Sequence, residues 1–246
     1  PLITSVTHTI GAGLVIIAGD DPGAKGSQNE QDSRWYGRIA EVAVFDPTNT
    51  DTAYRSLMRA YELSEETKTP VILRVTSGLE KGKGKITRLP GTSVPHPEFD
   101  RSIWKNRMME KHQLFHSRVY PLLEAEAENT NLNRLIKKTE SKKIESCSEN
   151  ETIGIISSGF MSSVVEKILE KEYPKKQNLS EISHLSLNLV NPLPLGKIGT
   201  FLKNNEKVLV IEESEPFIEE QIRISGNVYG KKTGHLPYGQ VIPEDI

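Results

Sequence analysis

Gly13-Leu14-Val15-Ile16-Ile17-Ala18-Gly19 runs directly into Asp20-Asp21-Pro22-Gly23-Ala24-Lys25-Gly26-Ser27-Gln28-Asn29-Glu30-Gln31-Asp32-Ser33-Arg34. Five apolar residues between two glycines read as a short strand covered on both faces, as in a parallel α/β sheet. The polar tract after it falls where a loop leaves the carboxyl end of that strand. Residues 42–45 form a second apolar run, stopped by Asp46-Pro47. Thr48 and Asp51 have the form of a helix start, a hydroxyl cap with an acid three positions on. Tyr54, Leu57, Met58 and Tyr61 then fall on one helical face. Thr69-Pro70 ends the helix, and residues 71–75 make a third strand. Strand, loop, strand, helix, strand is a βαβ rhythm with parallel connections.

The rhythm returns later in the chain. Residues 153–156 read as a strand, Ser157-Ser158-Gly159 as a tight turn, and Met161, Val164, Val165, Ile168 and Leu169 as a helical stripe. A strand at 185–190, a break at Asn191-Pro192-Leu193-Pro194, a short helix at 198–202 and a strand at 208–211 follow. Ser214 then caps a helix carrying Phe217, Ile218, Gln221 and Ile222. Between the two units, residues 77–97 read as an extended linker and 98–128 as helix, with Pro121 bending it or marking a junction. Residues 137–150 are polar and poorly patterned. The expectation is an α/β protein of two parallel-sheet blocks, residues 1–80 and 151–246, joined through a connector at 81–150.

Composition narrows the functional classes. Among 246 residues, 31 Lys and Arg against 33 Asp and Glu leave a net charge of −2. That balance argues against a nucleic-acid protein working through clustered cations. No apolar run approaches the ~20 residues that span a membrane. The single cysteine, Cys147, excludes an internal disulfide, a Cys-based zinc site and an iron–sulfur cluster held by this chain alone. A reducing, cytoplasmic compartment is the expectation. The chain opens at Pro1 without a methionine and close to a strand, the form of a piece of something longer.

Ligands in open α/β sheets sit outside the carboxyl ends of the strands, which directs attention to the tract at 19–34. Its glycines let backbone approach a ligand, and Ser27, Gln28, Asn29 and Gln31 offer donors and acceptors. Arg34 can hold a carboxylate through two bonds. A solvated loop capping the next helix, with Ser27 as cap, is the competing reading. Glu212-Glu213-Ser214-Glu215-Pro216 has the acidic density of a cation site but reads better as a helix start, with acids at the positive end of the dipole. Ser157-Ser158-Gly159 could cradle an anion, though a plain turn is the commoner form. Residues 81–85 make a basic, solvated tip. His112 and His116, four apart on a helix, lack a further ligand for a metal.

The run Asp20-Asp21-Pro22 through Ser27-Gln28-Asn29-Glu30-Gln31-Asp32-Ser33-Arg34-Trp35-Tyr36 resembles the alpha subunit of indolepyruvate ferredoxin oxidoreductase. Further matches occur in order: Ala60-Tyr61-Glu62-Leu63-Ser64-Glu65, Thr69-Pro70-Val71-Ile72-Leu73-Arg74, Gly154-Ile155-Ile156-Ser157-Ser158-Gly159, Lys207-Val208-Leu209-Val210-Ile211-Glu212-Glu213 and Gly230-Lys231-Lys232-Thr233-Gly234-His235-Leu236-Pro237. The resemblance implies a thiamine-diphosphate enzyme that decarboxylates aryl 2-oxo acids onto coenzyme A and reduces ferredoxin, the cofactor supplying the hard chemistry. It implies the later part of a pyrimidine-binding domain at 1–80 and a transketolase C-terminal-like domain at 151–246. Ser27, Gln28, Asn29, Glu30, Gln31 and Asp32 would then line the cofactor cleft, and Arg34 would balance the substrate carboxylate.

Thiamine diphosphate and Mg²⁺ would be shared with a pyrophosphate-binding domain that has no counterpart here. Iron–sulfur clusters would lie only in the ferredoxin-like part of the large subunit. The separate redox subunit and ferredoxin complete the implied partners; nucleic acid and membrane are not among them. Two departures stand inside the matched region. Ala24-Lys25-Gly26-Ser27 replaces Met-His-Ser-Ser, exchanging a histidine, the natural proton carrier near neutral pH, for lysine. Arg74-Val75-Thr76-Ser77-Gly78 replaces Arg-Thr-Thr-Thr-Arg. They leave open a different 2-oxo acid, or a non-catalytic assembly module of such a complex.

Overall fold

Apolar runs and caps build the elements much where the sequence places them. The computed structural model describes residues 1–91, 105, 107–138, 152–172 and 182–246. Cys147, the polar tract around it and the middle of the linker lie outside the described residues. Helix α1 (Leu2–His8), which the sequence does not announce, precedes β1 (Val15–Asp20). Then come α2 (Ser33–Ala40), β2 (Val44–Phe45), α3 (Thr50–Thr67), β3 (Val71–Thr76) and the single turn α4 (Ser77–Glu80). In the first sheet β1, β3 and β2 lie in the order β1-β3-β2, parallel to one another. Among the described residues β1 is an edge strand; Ile16 and Ala18 pack on one of its faces and Val15 on the other, while Ile17 is 65% exposed.

The cap of α3 is Asn49, one residue beyond Thr48. Its Oδ1 accepts the Thr52 N–H at 3.0 Å while Thr52 Oγ1 accepts the Asn49 N–H at 2.9 Å. Asn49→Ala should therefore lower stability by about 1 kcal/mol in urea denaturation. The buried face of α3 is made of Thr52, Ser56, Ala60, Leu63, Ser64 and Thr67, and Tyr61 stays half exposed. Small residues let the helix approach the sheet closely, so the predicted stripe of large residues flanks the contact.

The connector is α5 (Met108–Leu114), a π turn over Phe115–Val119 and α6 (Tyr120–Asn129). The wide turn falls directly before Pro121, whose ring and missing N–H cannot continue a regular α-helix. His116 Nε2 lies 3.0 Å from both carboxylate oxygens of Glu41, at the end of α2. That hydrogen bond raises the imidazole pKa above 6.5. The contact is fully present below the ordinary histidine value and is lost as pH rises through the raised one. In an NMR titration Glu41→Gln should return His116 to the ordinary range.

The second sheet begins with β4 (Arg134–Lys138). It continues through β5 (Ile153–Ser158), α7 (Gly159–Glu172), β6 (Ile182–Leu187), β7 (Leu189–Asn191), α8 (Leu195–Lys203), β8 (Lys207–Ile211), α9 (Phe217–Ile222) and β9 (Val228–Tyr229). Its order is β4-β6-β5-β8-β9, with β4 antiparallel and the rest parallel. The run expected as one strand at 185–190 is two, split at Asn188. There Asn133 Oδ1 accepts the Asn188 N–H at 2.8 Å and Asn188 Oδ1 accepts the Thr48 N–H at 3.1 Å. The bend sends β7 into the first sheet, antiparallel to β2.

One buried cluster accordingly joins Val42, Val44 and Ile72 to Ile156, Leu187 and Val210, so the two sheets share a core. A second packs α3 and α6 on the first sheet, and a third packs α7 on the second. Among the described residues no helix is long and apolar enough to cross a membrane.

Candidate functional site

The carboxyl ends of the two sheets face each other. β1 ends in Asp20, β2 is followed by Asp46, and Arg74 lies in β3, while β5 ends in Ser158 and β8 leads into Glu212 and Glu213. All of these side chains are buried. Arg34, in the first turn of α2, reaches into their midst with no exposed surface. Its Nε donates to Asp32 Oδ1 at 2.8 Å and its Nη1 to Glu212 Oε2 at 2.7 Å. Its Nη2 donates to Asp32 Oδ2 and to the carbonyls of Glu213 and Glu215. The Phe217 ring lies 5.1 Å from the guanidinium carbon. Arg74 donates to Asp20 at 2.6 Å, Asp46 at 3.2 Å and Ser214 Oγ at 3.2 Å. Two guanidinium groups thus bind four carboxylates, those of Asp20, Asp32, Asp46 and Glu212, in one closed network.

Charge pairing sets the protonation states. Arg34 beside Asp32 holds that carboxyl down to about 2 against the desolvation of its burial. Burial drives the Glu213 carboxyl above 4.5, and its Oε2 has no hydrogen-bond partner. Glu212 accepts the N–H groups of Ile218 and Glu219 at 3.0 Å. It does the capping of α9 expected of Ser214, which instead adopts φ 60° and bridges to Gly239. The acid-rich run at 212–215 is a helix start, as the sequence suggests. Ser158-Gly159 is no anion cradle, because Asp46 already occupies it: Ser158 Oγ donates to Asp46 at 3.1 Å. Gly159 is required by φ +58° and by the Asp46 carboxylate, which a Cβ would meet at 2.5 Å.

The predicted loop divides at Asp32. Ser27, Gln28, Asn29, Glu30 and Gln31 are all exposed, whereas Asp32 and Arg34 belong to the buried network. Asp21 anchors the near side of the loop, accepting the N–H groups of Gly26 at 2.6 Å and Ser27 at 3.1 Å. The bond from Gly26 pulls its pKa below 3.8. Asp20 anchors the far side, accepting from the Ser33 N–H and Oγ at 2.9 Å each. Every donor of Arg34 faces a protein acceptor, and both carboxylate oxygens of Asp32 accept from Arg34. The sequence offers Glu212 as part of a helix start and Asp20 as part of the polar tract, but it does not mark Arg74 or Asp46 as partners of a buried network. An arginine inside an apolar strand run was the available signal, since a buried cation demands buried anions.

A groove of about 590 Å³ lies elsewhere, between α8 and the β4–β6 edge. Leu135, Leu185, Lys197 and Phe201 line it, and no residue of 27–34 does. The described residues do not fit thiamine diphosphate with Mg²⁺ by themselves. No three of their His, Cys, Asp and Glu side chains are grouped to hold a metal, and buried carboxylates fill the strand-end crevice between the two sheets.

This paired-sheet α/β arrangement also occurs in a 2-oxoacid oxidoreductase. A solved 2-oxoglutarate:ferredoxin oxidoreductase from Magnetococcus marinus matches it with a TM-score of 0.60 over 93% of this chain and 48% of its own, at 14% identity, a likeness of fold alone. No protein-family model matches the chain. Its sequence is 31% identical over 229 residues to indolepyruvate oxidoreductase subunit IorA of Archaeoglobus fulgidus and 31% identical over 265 residues to that of Methanothermobacter marburgensis. These alignments cover 92% and 98% of this chain. The chain is a relative of the indolepyruvate oxidoreductase alpha subunits, and it spans 35% and 39% of the length of those two proteins.

Proposed function

We propose that the chain is one part of a 2-oxoacid:ferredoxin oxidoreductase of the indolepyruvate type. The whole enzyme would decarboxylate aryl 2-oxo acids oxidatively onto coenzyme A and reduce ferredoxin. The observation that carries this reading is the alignment with the alpha subunits along nearly the whole chain, on a fold shared with a 2-oxoacid:ferredoxin oxidoreductase. Thiamine diphosphate and Mg²⁺ would be held chiefly by polypeptide outside this chain, so no chemical step is assigned here to the cofactor. The ferredoxin-like part of the large subunit, the redox subunit and ferredoxin are the proposed partners.

This chain's own contribution is placement. Asp21 and Asp20 pin the two ends of the loop to the end of β1, and the network beneath holds its base rigid. Ser27 to Gln31 then present hydroxyl, amide and carboxylate groups outward, where they can form one wall of a cleft completed by another polypeptide. The Asn29 and Gln31 amides are the groups proposed to orient substrate. Each lost hydrogen bond removes about 1 kcal/mol, roughly fivefold. The assembled complex carrying Asn29→Ala and Gln31→Ala together should show kcat/KM for indolepyruvate lowered by about twentyfold in viologen reduction with coenzyme A. Unchanged kinetics in an active complex would remove the loop from the site. A complex that assembles but turns over no 2-oxo acid would leave the assembly-module reading instead.

A further inference from the structure

Gly154 of β5 sets how α8 lies on the second sheet. A Cβ there would meet the Phe201 ring at 2.7 Å and the Asn205 carboxamide carbon at 2.8 Å, so the glycine lets α8 settle directly over β5. The sheet continues beyond the helix through β6 to the edge strand β4. Leu185 and Leu135 are register partners on those two strands, and beside α8 they form the floor of the groove of about 590 Å³. Leu185 is buried, but Leu135 is 53% exposed. Lys197, Thr200, Phe201 and Asn204 fall at i, i+3, i+4 and i+7, so one flank of α8 makes the wall.

The two ends of the groove are polar. At one, the Ser183 hydroxyl donates to Asn205 Oδ1 at 2.7 Å. At the other, Glu128 of α6 accepts the N–H groups of Gly196 at 2.6 Å and Lys197 at 3.1 Å. Both of its oxygens are thus engaged at the positive end of the α8 dipole. Glu128 and Lys197 are the charged residues that line the groove. The Lys197 ammonium has three N–H donors, and among the described residues it uses one, on the Thr130 carbonyl at 3.3 Å. With Glu128 occupied, the charge offered to a ligand is that of a cation with donors to spare, beside an apolar floor.

We propose that this groove binds a small monocarboxylic acid with an apolar body, its carboxylate on the Lys197 ammonium and its body along Leu135, Leu185 and Phe201. The volume lies within the range of about 300–1,000 Å³ usual for small-molecule sites. A neutral ligand would cover Leu135 but leave the ammonium without an anion, and an amine would meet like charge. The site is separate from the loop at 27–31, none of whose residues lines it. Asn133 lines it instead, and the Asn133 carboxamide oxygen accepts the N–H groups of Asn188 at 2.8 Å and Leu189 at 2.9 Å, where the chain crosses to the first sheet. A bound acid therefore rests against the joint between the two sheets and stabilises the joined fold. This inference is independent of the proposed function.

The probe is 4-phenylbutyrate, with 4-phenylbutylamine and 4-phenyl-1-butanol as controls that share its body. At up to about 10 mM the acid should raise the melting temperature of the chain saturably. In NMR titration it should shift the amide resonances of Lys197, Thr200 and Asn204. The amine and the alcohol should bind at least about tenfold more weakly, because a charge-assisted hydrogen bond is lost. Lys197→Met should weaken binding of the acid about tenfold, and Lys197→Arg should restore it to within about threefold. Thr200→Trp, at an exposed position of the wall, should fill the groove and abolish binding while the melting of the free variant is retained. No saturable response, equal binding of the amine or the alcohol, or binding that survives both Lys197→Met and Thr200→Trp overturns the proposal. So do shifted amides that lie away from α8, β4 and β6. A dimer of the chain that Thr200→Trp dissociates also overturns it, by assigning the groove to a second copy.

Discussion

Arg34→Met should destabilise the chain by about 3–5 kcal/mol in urea denaturation, the usual loss when one partner is removed from a buried ion pair. The guanidinium is the hub between the two sheets: it answers Asp32 from α2 and Glu212 from the end of β8, and it holds the carbonyls of Glu213 and Glu215. Methionine retains much of the volume but leaves two carboxylates facing one another without water. The cost comes from those orphaned charges more than from lost attraction, so it should be recoverable. Arg34→Met combined with Asp32→Asn and Glu212→Gln removes the charges together and should restore more than half of the loss. A single-variant loss under about 1 kcal/mol would mean that the guanidinium is hydrated in solution and that the sheets are held by their apolar core. In the assembled complex the same variant should reduce the amount of folded subunit and leave the KM of the surviving enzyme unchanged. A raised KM with unchanged stability would return Arg34 to the substrate.

Glu213→Gln should act in the opposite direction, raising stability at neutral pH by about 1–3 kcal/mol. Glu213 is buried and its Oε2 has no hydrogen-bond partner; desolvation outweighs the attraction of Arg74, and Asp46 adds like charge nearby. Its pKa is raised on folding, so the folded state holds the proton more tightly than the unfolded chain does. Protonated Glu213 is compatible with the fold below the ordinary glutamate range, and stability falls as pH rises through the raised value. Glutamine imitates the protonated form at every pH. The melting temperature of the variant should therefore exceed that of the parent at pH 7 and converge with it near pH 4. Asp32 provides the counterweight. Its folded pKa of about 2 contributes stability that is complete above the ordinary aspartate value and lost as pH falls toward 2. A parent whose stability peaks in the mildly acidic range, with the alkaline flank flattened by Glu213→Gln, meets both expectations; an unchanged flank would place the charge of Glu213 in contact with water.

The α/β class and most elements were legible because they rest on local information. Residues 71–73 are apolar and β-branched or leucine whatever surrounds them, and Met161, Val165 and Leu169 mark the buried side of α7. The errors share one origin. Tyr54, Leu57, Met58 and Tyr61 satisfy helical spacing, yet only Leu57 of the four packs against the cluster under α3, whose buried face is Leu63 with Ala, Ser and Thr residues. Residues 185–190 alternate leucine with Ser186 and Asn188 as a strand would, and only the side chain of Asn133, about fifty residues earlier, makes Asn188 a corner between two sheets. The tract at 20–34 was correctly singled out as unusual, but its division at Asp32 could not be read from the sequence.

What the residues determined by themselves was the alternation of strand and helix, the caps and breaks, and the string Ser27-Gln28-Asn29-Glu30-Gln31-Asp32 that ties the chain to its relatives. Those follow from period, propensity and residue identity, which are properties of neighbours in sequence. Only the tertiary structure decided which charges meet. Arg34 and Glu212 stand 178 residues apart, and a buried cation chooses its anions by what the packing of two sheets leaves within 3 Å in a medium too poor in water to tolerate it alone.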